Sequence, residues 1–306
     1  MSAPDATTDA DRPTARGILL ALICLLWMAA MLWSARASIT SRGNAEAEVT
    51  STAYALPGVV SAGLVTGAAA GLAVLALLSR RRTLGTTARF AVTTGTGLLI
   101  GLLGAVTIVT INTEGWIYAV VGGTIAAAAT IGGGLAGVRV PQVVTAICWA
   151  AVAVFVVGFV VNLFQDPLLG LLGSGDSRQS QADAARWFTF FQAAVSGLAA
   201  GLTAYALLRR GPGGAAWPWY AVAGAGPGLL LVVGELLTRT AGSRVLDLAG
   251  RVSDLELVVQ RMLSGARFNS ALVVLFVGAV TAMVAIGRTI KPAPDDAETE
   301  PVPATK

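Results

Sequence analysis

Eight apolar runs divide this chain of 306 residues, and charged residues almost vanish inside them. They lie near 17–36, 57–79, 90–111, 116–138, 142–164, 188–208, 218–237 and 268–287. A helix that crosses a bilayer needs roughly 17–25 such residues. Only 12% of the chain is charged and 55% is hydrophobic, whereas a soluble domain carries about 25% charge. So much apolar surface cannot be hidden in one aqueous core, and lipid must solvate it. Inside lipid every backbone amide and carbonyl must be satisfied internally, which leaves helices or closed barrels. Runs of this length select helices. The expected fold class is an all-α polytopic membrane protein with eight transmembrane helices.

The runs repeat. Residues 67–80, GAAAGLAVLALLSR, recur at 197–210 as GLAAGLTAYALLRR. Ile23-Cys24 in the first span matches Ile147-Cys148 in the fifth, and Ser41-Arg42 before Ala45-Glu46-Ala47 matches Ser177-Arg178 before Ala182-Asp183-Ala184. Gly95-Thr96-Gly97-Leu98-Leu99 matches Gly226-Pro227-Gly228-Leu229-Leu230, while the fourth and eighth spans match poorly. An even number of spans per half inserts both halves in one orientation, which makes a parallel 4+4 internal repeat. The expected units are a tail over 1–16, a first four-helix repeat over 17–138, a second over 142–287 with an inserted segment 238–267, and a tail over 288–306. Both tails are polar and acidic, the second also Pro-rich, and neither can bury a core, so both are expected to be disordered.

Basic residues set the orientation. Arg80, Arg81, Arg82, Arg89, Arg209 and Arg210 flank spans in short loops, and such clusters mark the cytoplasmic side. Both termini are therefore expected inside, in a bacterial plasma membrane. Arg12 and Arg16 before an apolar run, with Ser34-Ala35-Arg36-Ala37 after it, imitate a secretory signal. The run from Gly17 to Trp33 exceeds the ~7–15 residues of a signal's apolar core, so a retained helix is expected. The two cysteines, Cys24 and Cys148, sit singly within spans, which points to buried packing and not to a disulfide framework.

Three features could carry function. The first is a pair of small-residue ladders: Gly63, Gly67 and Gly71 in the second span, Ala193, Gly197 and Gly201 in the sixth. This spacing lets another backbone approach closely, and it is expected to pack the two halves together at a pseudo-twofold axis. The fourth span, small all round, should be packed on several sides. The second feature is a pair of matching interruptions, Thr93 to Gly97 in the third span and Gly224 to Gly228 in the seventh. Pro227 is expected to kink or break its helix. Interrupted helices at equivalent places in two halves point to a solute site, here Thr94, Thr96, Gly226, Pro227 and Gly228. Glu235 belongs to the same candidate solute or ion site: an acid deep in a span would bind a proton or cation, whereas near the end of the span, where it is expected, Arg239 at i+4 pairs with it at the interface.

The third feature is the segment 238–267. Val245, Leu248, Val252, Leu255, Val259 and Met262 form a heptad stripe, the mark of an amphipathic helix. It is expected on the outer face, docked on the bundle, lying in the interface or pairing with another protein.

Absences narrow the chemistry. There is no histidine, which removes His-based metal sites and His general bases. No Walker or Rossmann motif and no cysteine cluster is present. No cofactor, metal, catalytic residue or nucleic-acid partner is expected. Lysine occurs only at Lys291 and Lys306, and the abundance of Ala, Gly, Val and Arg suggests a GC-rich genome. In composition and helix layout the whole chain resembles the uncharacterised Ala/Val/Leu-rich conserved integral membrane proteins of GC-rich Gram-positive bacteria. That resemblance implies a cell-envelope setting and no activity. The sequence thus supports a non-catalytic envelope component acting through membrane lipids, other envelope proteins or a second copy of itself. Its rival is a secondary transporter or permease for a small or amphiphilic solute, with a site between the repeats. An enzyme ranks third.

Overall fold

The structure, a computed structural model, describes residues 12–40, 45–80, 84–111, 116–175, 177–211, 215–249 and 254–288, excepting the side chains of 12–14, 40, 45–53, 242–249, 254–257 and 260. The described residues form nine helices and no strand: α1 (Arg12–Thr40), α2 (Ala45–Ser79), α3 (Thr86–Val109), α4 (Trp116–Ala136), α5 (Pro141–Leu163), α6 (Gln165–Leu171), α7 (Arg178–Arg209), α8 (Trp217–Ala249) and α9 (Asp254–Gly287). All but α6 are long and apolar enough to cross a membrane, so the chain is a multi-pass membrane protein. Each of these eight helices carries an exposed apolar side chain, among them Leu26, Leu77, Leu103, Ile131, Val156, Leu198, Leu229 and Phe276. Lipid accepts such surfaces at no cost, because its tails are as apolar as leucine. Trp116 and Trp217, both exposed, open α4 and α8, where an aromatic ring can sit at headgroup level.

Local chemistry explains the helix ends. Pro141 opens α5, where its missing amide costs nothing. The Ser177 hydroxyl accepts from the Ser180 amide at 3.1 Å to cap α7. The seven-residue α6 has no counterpart among the expected elements. It ends where Gly173 turns to φ +85° and the Ser174 amide donates to the Leu169 carbonyl, the wrap-around cap that glycine permits.

The helices alternate in direction, so α1 begins and α9 ends at one end of the bundle, here the near end. The far end carries α6, the end of α8 and the start of α9. Among the first four spans α2 packs on α1, α3 and α4, and α3 on α4; among the last four α7 packs on α5, α8 and α9, and α8 on α9. α8 also packs on α2 and α4, and α5 on α1, α2 and α4, which joins the two sets. Cys24 and Cys148, both free and fully buried, share one apolar cluster with Val65, Ala69 and Leu230.

Several expectations are revised. Residues 12–16 belong to α1, not to a tail. The ladders do not join the halves. A Cβ on Gly63, Gly67 or Gly71 would meet α4, at Ala128, Ala129 and Ala136, and one on Gly197 or Gly201 would meet α9, at Val274, Val277, Gly278 and Thr281. Each ladder therefore packs within its own set of four, and Ala193 lies against a cavity described below. α4 is packed on α3, α2, α8 and α5. Neither interruption breaks a helix: α3 runs on through Thr93–Gly97 and α8 through Pro227. Thr93 and Thr96 return their hydroxyls to carbonyls of α3 itself. Gly224 and Gly228, on either side of Pro227, press α8 onto the α9 backbone, and that packing holds the helix together across one missing hydrogen bond.

The segment 238–267 is shared between two helices: α8 extends to Ala249 and α9 starts at Asp254. At 33 and 34 residues these helices reach about 50 Å, well beyond a ~30 Å hydrocarbon core. Of the stripe, Val259 and Met262 are exposed. Val252 lies outside the described residues, as do the side chains of Val245, Leu248 and Leu255 and both tails beyond 12 and 288.

Candidate functional site

Glu235 stands 18 residues into α8, about 27 Å along its axis. That places it towards the far edge of the apolar layer. The residue is nevertheless 4% exposed. A carboxylate there keeps its charge only if hydrogen bonds replace its water, and α9 supplies most of them. Arg267 donates from Nε to Oε2 at 2.9 Å, and the Ser264 hydroxyl donates to Oε1. Arg239, the partner the spacing suggests, is farther away at 3.4 Å. It is also engaged elsewhere: Nε donates to Ser264 Oγ at 2.7 Å, Nη2 donates to the Ser264 carbonyl at 3.1 Å, and its guanidinium lies over the Phe268 ring at 5.0 Å. Two cations and one carboxylate leave this cluster with a net positive charge.

Beside the cluster lies a cavity of about 550 Å³, within the roughly 300–1,000 Å³ range of small-molecule sites. Six helices line it: α1 through Trp27 and Met31, α2 through Pro57 to Val65, α5 through Ala151 to Gly158, α7 through Thr189 to Ser196, α8 through Pro227 to Glu235, and α9 through Leu263 to Val274. It therefore sits between the first and last four spans, in the far half of the bundle. Most of the wall is apolar. Glu235, Arg267 and Ser270 give it a polar corner, and Ser61, Thr189, Gln192 and Ser196 are scattered along it. Three of the wall's hydrogen-bonding groups are turned inward on the protein. Ser270 and Thr189 donate to carbonyls of their own helices, and Gln192 Nε2 donates to the Gly158 carbonyl at 3.0 Å. Trp27 Nε1 is different: it is buried and has no partner among the described residues, while its ring packs against Phe155 in a tilted arrangement at 4.6 Å.

The sequence-derived candidates divide here. Pro227 and Glu235 line the cavity; Gly226 and Gly228 are adjacent in α8, pressed against Ile147 and Leu275. Thr94 and Thr96 do not line it. They lie on α3, which packs on α4, α2 and α1, and the buried Thr94 hydroxyl has no partner among the described residues. Arg267, Ser264 and Trp27 carry no mark in the sequence. Arg267 stands just outside the last apolar run and reads as a flanking charge; only the antiparallel register of α8 and α9 brings it to Glu235. Among the described residues no three Cys, Asp or Glu side chains gather as a metal site would require. Comparison with protein-family models, with curated proteins and with solved structures gave no match.

Proposed function

We propose that the protein is a non-catalytic component of the bacterial envelope that binds an amphiphilic molecule, solute or lipid, in the cavity between its two four-span halves, as a permease or carrier would. The observation that carries this reading is an apolar cavity of about 550 Å³ with a single charged corner. An aliphatic chain gains about 0.8 kcal/mol for each CH₂ that leaves water, and the polar corner would fix one end of it.

The internal repeat sharpens the argument. We infer duplication from close approaches that recur in register. Gly67 meets Ala129 as Gly197 meets Val274; Gly71 meets Ala136 as Gly201 meets Thr281; Gly133 meets the Thr93 carbonyl as Gly278 meets that of Gly224. These pairs relate α4 to α9 by one constant offset, which supplies the alignment that the residues alone do not. In the same alignment Glu235 corresponds to Gly104 and Ser270 to Ile125. Around Gly104 the space is filled, with Met28, Leu32 and Ile125 against it. The fold can thus pack this position solid with apolar side chains, and the second half instead holds Glu235, Ser270 and a void. That asymmetry supports a functional origin for the cavity.

Filling the void tests the reading. Val154→Trp should leave the protein folded and reduce co-purifying lipid or added single-chain amphiphile by about tenfold, since a large side chain competes for the same volume. The measurement is mass spectrometry of native extracts beside equilibrium binding. Undiminished retention by a folded variant would remove the cavity as the site. Orientation is tested separately. An alkaline phosphatase fused after Arg210 should be inactive, and a green fluorescent protein at the same point should fluoresce, because both termini and this loop belong to the cytoplasm. An active phosphatase would reverse the assignment.

A further inference from the structure

We propose that Arg267 selects an anionic headgroup, carboxylate or phosphate, on the amphiphile whose chain enters the cavity; this rests on the cavity reading above. Among the described residues, Glu235 and Arg267 are the only charged ones in the wall. Glu235 binds Arg267 through Nε, which leaves both Nη groups without a hydrogen-bond partner among the described residues. The Arg267 side chain is 38% exposed, so this free edge is reachable from the cavity and its rim. An arginine fork matches the paired oxygens of a carboxylate or phosphate.

Charge points the same way. Arg239 brings a second cation against one carboxylate, and its Nε and Nη2 are directed at Ser264. An anion restores neutrality at this corner, whereas a cationic head would meet like charge. Glu235 is a positioning residue: it holds Arg267 by one edge and does not meet the ligand's charge itself. Trp27 Nε1 in the same wall, without a partner among the described residues, adds a donor for an acceptor further down the ligand, such as an ester or amide carbonyl.

The test uses the full chain in nanodiscs of zwitterionic phosphatidylcholine. Binding of dodecyl phosphate, dodecanoate and dodecyltrimethylammonium is compared, with inorganic phosphate alone as a fourth probe. Both anionic chains should bind about tenfold or more tighter than the cationic chain, the scale of one charge-assisted contact. Arg267→Gln should bring the three chains to within about twofold of one another, and Arg267→Lys should restore part of the preference as a point charge without the fork. Inorganic phosphate should bind at least about a hundredfold more weakly than dodecyl phosphate, because it has no chain to bury. Equal binding by free phosphate would make this a site for the simple anion and overturn the amphiphile. A wild-type protein that binds cationic and anionic chains alike overturns the inference and leaves the cavity reading standing, as does a folded Arg267→Gln that keeps the full preference. Failure of every chain to bind overturns both. Should Arg267→Gln fail to fold, the wild-type ranking of the three chains still decides.

Discussion

Replacing Gly132 by alanine is expected to separate α4 from α2 and to destabilise the protein by about 3 kcal/mol, at the upper end of what overpacking usually costs. One methyl group suffices because of what it would strike. A Cβ at Gly132 falls on the Leu64 carbonyl and close to the Ala68 amide, and both are backbone atoms that cannot rotate away. Leu64 and Ala68 are themselves buried, so α2 cannot move without opening the core on its other side. The approach is reciprocal, since a Cβ at Gly67 of α2 would strike the Ala129 carbonyl of α4. In lipid no hydrophobic force draws helices together, and association depends on such close packing. Gly123, on the same α4, has nothing within 4 Å of a would-be Cβ. Gly123→Ala should therefore be neutral or stabilising by up to about 1 kcal/mol, as helix propensity alone predicts. Thermal unfolding of both variants in one detergent reads the difference. A Gly132→Ala protein as stable as Gly123→Ala would show that the α2–α4 approach is not needed.

That contrast also marks what the sequence could disclose. The eight apolar runs identified the eight long helices because length and apolarity are local properties. The ladders were visible as spacing, yet their partner was not: Gly67 and Gly197 looked like a seam between halves, and each instead receives a helix of its own half. Spacing says that a backbone comes close, and only the topology says which one. Pro227 was readable as a kink or break, because proline removes a hydrogen bond; α8 runs on through it, packed against α9 on both sides. Glu235 stood out as an acid in a span, and Arg239 at i+4 was visible with it. Arg267 and Ser264 were not, since they lie 32 and 29 positions away in the contacts they make. The cavity was invisible for a stronger reason. A void is the absence of side-chain volume across six helices, and no single stretch of sequence encodes it.

The second large effect concerns the Glu235 cluster, and it separates support of the fold from function. Glu235→Ala should cost about 2–3 kcal/mol. Breaking a fully buried pair costs about 3–5 kcal/mol, and the figure is reduced here because Arg239 and Arg267 are 42% and 38% exposed and water can solvate them once freed. A double-mutant cycle between Glu235→Ala and Arg267→Ala should give a coupling of about 1–2 kcal/mol, the scale of a charge-assisted hydrogen bond. The exposed pair Asp183–Arg186, at 3.6 Å with side chains 55% and 83% exposed, should give about 0.5 kcal/mol or less. The deciding variant removes both members of the buried pair together. Glu235→Leu with Arg267→Met exchanges it for apolar side chains of similar volume, a replacement that is often neutral or stabilising. The filled space around Gly104, the position we infer to correspond to Glu235, supports the bundle's tolerance of apolar packing there. The double variant should therefore unfold within about 1 kcal/mol of wild type while losing its preference for anionic chains. A double variant as unstable as Glu235→Ala would assign the cluster to the fold. If stability returns and selectivity does not, the carboxylate and its arginine are held at that depth for what they bind.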